Sequence, residues 1–346
     1  MVRVAIIGAG LMGGVHARGY ATLSERVSLR LIHDVNPDRA AVLADTIGTE
    51  IALTLDDVLD DPEVEAVTIC VPPHLNREIA VRALRAGKHV FLEKPIALKL
   101  EDADAILAAA EQSRTVLMVG LVLRFWPGYA ELRALACGGE LGRPLTVTTS
   151  RLQPPAEWGG WISDVHLTGG IAPLVLVHDF DQMNWLLGEP LHVAARPLRG
   201  AGRAATHVGV WVDYGDASGL AEATMDMPSS YPLTSELRVV CERGAVVYSF
   251  EAGGAEAADS SGPGSGEQRL GASNAHHLSI YRDKPKSHEI VELGDGDLWT
   301  PELVHFLDAI EGRAPLGLGT GHQARQTLAV ALAANRSLES GAVERV

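Results

Sequence analysis

Residues 1–14 read MVRVAIIGAGLMGG, an apolar strand that runs straight into the turn Gly8-Ala9-Gly10-Leu11-Met12-Gly13. Val4, Ala5, Ile6 and Ile7 form the unbroken apolar run of a strand buried on both faces, and a helix is predicted to begin near Leu11. Each glycine suits a different demand. Gly8 permits the tight turn, Gly10 lets backbone approach a pyrophosphate, and Gly13 lets helix pack closely on strand. The N–H groups of the helix start, at Leu11 and Met12, then face the phosphates. A glycine-rich turn between strand and helix also occurs without a ligand, so the motif has to be weighed together with the residues downstream of it.

Asp34 ends the second apolar strand, Val27 to His33, at the offset of about twenty residues where an acidic side chain accepts hydrogen bonds from the adenosine ribose. A carboxylate there binds both ribose hydroxyls of NAD and repels the extra phosphate of NADP. NAD is therefore the expected cofactor and NADP the less favoured one. Arg39 could pair with a 2′-phosphate, but no Arg or Ser directly follows Asp34. The competing reading of Asp34 is a surface aspartate capping the turn before Asn36-Pro37.

The chain has 346 residues, enough for two domains with cores of their own, and alternating strand and helix signals place it in the α/β class. Its net charge of -15, with no dense Lys/Arg run, argues against nucleic acid or an anionic membrane as the main partner. Cys70, Cys137 and Cys241 lie far apart with no C-x-x-C, which predicts unpaired thiols and a reducing, cytoplasmic setting. Residue 1 leads directly into the first strand and no apolar run approaches a membrane span, so neither a leader nor a membrane anchor is expected.

Outward from the first unit, the order is strand, helix, strand, helix. A helix over Pro37 to Ile47 precedes a buried strand Val64 to Cys70, a helix Leu75 to Ala86 and a short strand Lys88 to Leu92. A helix Glu101 to Ser113 and a strand Val116 to Val119 complete the series. This predicts a doubly wound parallel sheet in a dinucleotide-binding Rossmann domain over residues 1–121. The segments after Ile7, Cys70 and Leu92 should converge on one crevice. Residues 122–346 are expected to form an α+β domain for substrate binding and oligomerisation. Its β segments, from Val147 to Leu152 through His288 to Leu293, follow one another without alternating helices, which implies an open-faced, largely antiparallel sheet. Helices are predicted over Gly128 to Cys137, Pro173 to Leu187, Pro301 to Glu311 and Gln323 to Ser340, the last of them free to pack back on the first domain. Glu251 to Asn274, rich in Gly, Ala and Ser, reads as a flexible loop.

Glu93-Lys94-Pro95 stands at the end of the strand Lys88 to Leu92, on the side of the glycine turn. Oxidising an alcohol with NAD removes a hydride from carbon and a proton from oxygen, so a proton-transfer group must sit beside the hydroxyl. Lysine can serve if burial and a nearby positive ring lower its pKa. Glu93 would orient it, and Pro95 would stiffen the turn, with a cis bond as one means. A surface ion pair before a loop is the alternative.

The turn GAGLMG, the segment VPPHLNREIAVRALRAGKHVFLEKPIAL, the segment LVLRFWPGYAELRAL and the run TGGIAPLVLVHDFDQMNWLLG together resemble the Gfo/Idh/MocA family of oxidoreductases. The resemblance covers nearly the whole chain, including the closing LAVALAANRSLESG. It implies an enzyme, an NAD(P)-dependent dehydrogenase acting on CH–OH groups of sugars, sugar acids or cyclitols. It also implies that Lys94 matches the lysine holding the reacting hydroxyl and the nicotinamide ribose, Pro95 the proline shaping that turn, and His178 the second-domain proton acceptor. A neutral imidazole suits that task. His178 could instead be a buried helix histidine bonded to a carbonyl. Pro73, His74 and Asn76 should line the dinucleotide cleft, while Asp179 and Asp181 would orient His178 or bind substrate hydroxyls. The chain departs from the inositol dehydrogenase pattern at Leu174, where an aspartate usually precedes the histidine by one turn. The departure predicts a less polar pocket wall and a changed substrate.

Other candidates are weaker. Arg124 could reach a substrate carboxylate or hydroxyl, or form an interdomain ion pair. Trp158 and Trp161, near Asp164, could stack on sugar or simply lock a loop. His276-His277 lacks a third ligand at sensible spacing, so no metal is predicted. Three functional readings stay open: an inositol-like dehydrogenase, a ligand-sensing regulator that kept the fold, and a reductase of a less polar ring. An antiparallel sheet with one uncovered face predicts a homodimer or homotetramer.

Overall fold

The structure, a computed structural model, describes residues 1–156, 159–252, 275–293 and 297–346. Trp158 and the loop expected up to Asn274, from residue 253 on, lie outside the described residues. The chain divides into two compact units, the first built from Met1–Phe125 and Asp297–Arg325.

In the first unit β1 (Val2–Ile7), β2 (Val27–His33), β3 (Glu50–Ile51), β4 (Ala66–Ile69), β5 (His89–Leu92) and β6 (Leu117–Val119) form a sheet in the order β3-β2-β1-β4-β5-β6. All pairings are parallel. The order reverses direction at β1, so the connections that leave the C-terminal ends of β1 and β4 part there and open the crevice where ligands bind in such sheets. The helices are α1 (Leu11–Thr22), α2 (Pro37–Ile47), α3 (Leu55–Leu59), α4 (Asn76–Arg85) and α5 (Leu100–Ser113), with a 3₁₀ turn at Pro73–Leu75. The doubly wound expectation is borne out. β3 and α3 were not anticipated. The first is two exposed residues, and the second is five residues defined by its Thr54–Asp57 capping box rather than by periodicity. α9 (Thr300–Ile310) also belongs to this unit, because Leu303, Phe306 and Leu307 join Tyr20, Ile6 and Phe91 in one buried cluster. Gly19 allows the approach, since a Cβ there would lie 2.8 Å from Leu303.

The second unit comprises the described residues of Trp126–Gly296 together with Gln326–Val346. Its strands are β7 (Pro144–Leu152), β8 (His192–Arg199), β9 (His207–Asp213), β10 (Ser218–Thr224), β11 (Thr234–Cys241), β12 (Gly244–Glu251), β13 (Ala275–Asp283), β14 (Lys286–Val291) and β15 (Glu344–Arg345). Among the described residues these form a nine-stranded sheet, β14-β13-β12-β11-β7-β10-β9-β8-β15, antiparallel except for the β10–β7 pair. α6 (Pro127–Cys137), α7 (Val165–Thr168), α8 (Val177–Leu187) and most of α10 (Gly321–Ser340) accompany it. Period-2 burial along β7 turns Val147, Thr149 and Arg151 inward, and along β11 it turns Ser235, Leu237, Val239 and Cys241 inward. Leu220, Val240, Tyr281 and Ile290 stand exposed on the other side. No described helix is long and apolar enough to cross a membrane, and the three cysteines form no disulfide.

Candidate active site

The glycine turn separates packing from ligand demands. Gly8 has φ +100°, and a Cβ there would lie 2.3 Å from the Cys70 carbonyl oxygen; a Cβ on Gly13 would lie 1.9 Å from the Gly8 carbonyl oxygen. Both glycines are therefore required by the fold itself. Gly10 is different: among the described residues a Cβ there meets nothing within 4 Å, so the turn keeps open space in front of it. Gly10 is also the N-cap of α1 and supplies no side-chain cap, which leaves the first-turn N–H groups near Leu11 and Met12 available to an anion.

Asp34 is half-buried and fixed from two sides. The Ala9 N–H donates to Oδ2 at 2.8 Å and the Asn36 N–H to Oδ1 at 2.8 Å. The turn-capping and cofactor readings therefore coexist. Each oxygen retains a second lone pair, so the carboxylate can still accept hydroxyl donors while tying the glycine turn to the end of β2. Open space at Gly10, an uncapped helix start and a pre-set carboxylate fit a dinucleotide.

The turn after β5 is built from below. The Asn76 side-chain amide donates to the carbonyls of Glu93 (3.3 Å) and Pro95 (2.8 Å), across a cis Lys94–Pro95 bond. Asn76 is thus a buried clamp on the turn. The Lys94 N–H donates to Glu93 Oε2 at 3.1 Å, and His16 Nε2 lies 2.6 Å from Glu93 Oε1. Glu93 and Pro95 are buried whereas Lys94 between them is half-buried. In the 3₁₀ turn after β4, Pro73 is buried and His74 exposed. Burial, reinforced by Glu93 and Glu302, pushes the Cys70 thiol well above its ordinary value, so it stays neutral and unreactive.

In the second unit, Ala172–Leu176 is a π-helical turn leading into α8. Pro173 stands in the first turn of this element, where its missing N–H would have no intrahelical partner. From Gly170 to Asn184 every residue is buried except His178, which is half-buried. A buried helix thus presents one imidazole at its less covered point. Asp179 is buried and held by Arg151, with Nε to Oδ2 at 2.8 Å and an Nη2 contact to Oδ1 at 3.2 Å. Burial opposes the Arg151 charge, but Asp179 and then Tyr129 hold its proton above the ordinary arginine value. Asp181 is also buried and accepts from the Thr327 hydroxyl at 3.4 Å. The two aspartates are thus committed to the interior. Leu174 is 9% exposed, Arg124 is buried in the 3₁₀ turn Val122–Arg124, and Trp161 is half-buried. His276 packs on Tyr248 and accepts or donates at 2.7 Å to its hydroxyl.

Among the polar residues of these networks, His16, Glu302, Arg151, Tyr129 and Thr327 were not anticipated. Only Arg151 carries a legible signal, an arginine at an inward position of an alternating strand.

The chain matches the model of the Gfo/Idh/MocA oxidoreductase family with NAD-binding Rossmann fold over residues 2–121, and that of the Gfo/Idh/MocA C-terminal domain over residues 129–247. It belongs to this family and is an NAD-binding oxidoreductase. It is 27% identical to the scyllo-inositol 2-dehydrogenase (NAD(+)) of Bacillus subtilis, with 98% of this chain and 95% of that protein aligned. Against the myo-inositol 2-dehydrogenase of Thermotoga maritima the identity is 29%, but the chain spans only about half of that relative, 55%. Among solved structures, UDP-N-acetylglucosamine 3-dehydrogenase GnnA of Acidithiobacillus ferrooxidans superposes with TM-score 0.77 at 25% identity, covering 98% of each chain.

Proposed function

We propose that the protein moves a hydride between NAD(H) and a hydroxyl- or keto-bearing ring carbon of a sugar or cyclitol, with Lys94 and His178 handling the proton. The observation that carries the reading is the turn at 93–95, where Asn76, Glu93 and the sheet fix the backbone and leave Lys94 as the half-buried residue between two buried ones. When bound, the nicotinamide supplies the hydride acceptor or donor. Lys94 holds the reacting oxygen and passes or takes its proton, and His178 serves as the second proton-transfer group. Leu174 gives the substrate side an apolar wall. The uncovered face with Leu220, Val240, Tyr281 and Ile290 supports self-association as a homodimer or homotetramer, and the unpaired thiols suit a cytoplasmic setting.

The test is turnover of NAD or NADH, followed by absorbance, with myo-inositol, scyllo-inositol, other polyols and keto-sugars. Lys94→Ala is expected to lower kcat by about 10²–10⁴-fold. Full turnover in that variant would refute the assignment. Cofactor binding with no turnover of any compound in the panel would favour a ligand-sensing regulator.

A further inference from the structure

We propose that Glu302, on α9, is a positioning residue for the Lys94 turn: its carboxyl group, packed against His16 and Glu93, fixes the Glu93 carboxylate and through it the Lys94 backbone. This rests on the role given to Lys94 above. His16 and Glu302 are completely buried and Glu93 nearly so, and one ligand-type atom from each lies within 4.8 Å of the others. His16 Nε2 is hydrogen-bonded to Glu93 Oε1, whereas among the described residues His16 Nδ1 and both oxygens of Glu302 have no hydrogen-bond partner.

Two carboxyl groups this close and this deeply buried disfavour a second negative charge, and Glu302, whose oxygens meet no donor among the described residues, is the one assigned the proton. Burial and the Glu93 charge push Glu302 well above the usual carboxylate range. A protonated Glu302 carries an O–H donor, and the Glu93 carboxylate, within 4.8 Å, is the acceptor assigned to it. Glu93 then accepts from Glu302, from His16 and from the Lys94 N–H. The other titratable groups facing Glu302, Cys70 at the end of β4 and Tyr20 on α1, are both kept neutral by burial. The walls are tight. Phe91 packs edge-on against His16 and Phe306, and a Cβ on Gly120 would sit 3.3 Å from Phe91 and 3.4 Å from Glu93 Oε1.

A divalent cation is the competing occupant, and the geometry disfavours it. Two ligand atoms each about 2.1 Å from one ion stand about 3 Å apart or more. His16 Nε2 and Glu93 Oε1 are at 2.6 Å, a hydrogen-bond separation.

Full-length Glu302→Gln and Glu302→Leu test this. The amide imitates the neutral acid and the leucine removes every polar atom. The infrared difference between wild type and Glu302→Gln at neutral pH should contain one protonated-carboxyl C=O stretch. With NAD and the fastest polyol of the panel, Glu302→Gln should keep kcat within about threefold. Glu302→Leu should lose about tenfold or more in kcat, with KM for NAD changed less than about twofold. Absence of the protonated-carboxyl band, equal kcat loss in both variants, or an equivalent of divalent cation in the purified protein would overturn the proposal. If Glu302→Leu does not fold, the band and the kcat of Glu302→Gln decide. The infrared result is independent of turnover. Wild-type turnover in Lys94→Ala would therefore remove the reading of Lys94 while leaving the shared proton to stand or fall separately.

Discussion

Removing one partner of the Arg151–Asp179 pair is the perturbation whose size the structure determines best. The side chains are 7% and 3% exposed and the contact is bidentate, so Asp179→Leu leaves a guanidinium buried without its counter-charge. Stranding a buried charge costs about 3–5 kcal/mol. For a unit of this size each kcal/mol lowers the thermal midpoint by about 2–4 °C, so the expected drop is about 6–20 °C. The double variant Arg151→Met/Asp179→Leu removes both charges and should recover most of the loss, because two apolar side chains of similar volume avoid the desolvation cost altogether. Urea titration followed by circular dichroism gives the free energies, and calorimetry gives the midpoints. The pair joins β7 to α8 at the residue next to His178, so Asp179→Leu should also depress kcat, whereas NADH affinity, carried by the first unit, should not change. A loss below about 1 kcal/mol in Asp179→Leu, or a double variant no more stable than the single one, would refute the reasoning.

The remaining expectations concern the first unit. Gly13→Ala should destabilise by about 3 kcal/mol or more, because its Cβ meets the Gly8 carbonyl at 1.9 Å. Gly10→Ala, with nothing within 4 Å, should leave the thermal midpoint unchanged but weaken NADH binding about tenfold by fluorescence titration. Glu302 adds a pH dependence. Its folded pKa is raised, so its stabilising contribution is complete below the unfolded value of about 4.3 and is lost as pH rises towards the folded value, by up to about 1.4 kcal/mol per pH unit. Urea titrations at pH values rising from about 4.3 should show this slope in wild type and its absence in Glu302→Gln.

Much of the parallel sheet was legible because strands buried on both faces must be written as continuous apolar runs. β2 and α2 could be bounded to the residue because Asp34, the Asn36 cap and Gly48 at φ +79° punctuate them. β13 was not legible: its burial alternates weakly, and His276, His277, Ser279 and Arg282 interrupt any apolar pattern. In the candidate site the individual motifs were readable and their partners were not. A glutamate in the first turn of α9 reads as a favourable helix-dipole charge, and nothing nearby in sequence announces that it lies buried beside His16 and Glu93. Asp179 and Asp181 show the same limit. Acidic residues beside a candidate catalytic histidine suggest ligand contacts, yet long-range packing takes both into the interior.

At Leu174 the local turn changes what the sequence spacing implies. Four residues before His178, it would share a face with it in a regular α-helix, but the turn between them is π-helical. With hydrogen bonds running to the fifth residue, the position one turn before His178 falls between Pro173 and Leu174, so the stagger between the two side chains differs from that of an α-helical i, i+4 pair. Leu174→Asp therefore should not simply recreate a His–Asp pair. At a position 9% exposed, the new carboxylate has to reach a donor or take up a proton, so a loss of about 2 kcal/mol or more in stability is expected alongside any change in selectivity. If Leu174 walls the substrate site, the kcat/KM ratio between a hydroxyl-rich cyclitol such as myo-inositol and a less polar ring ketone should shift by about tenfold or more towards the cyclitol. A ratio unchanged across the panel, with the stability loss present, would mean that Leu174 is a packing residue of the π turn and that the substrate is selected elsewhere.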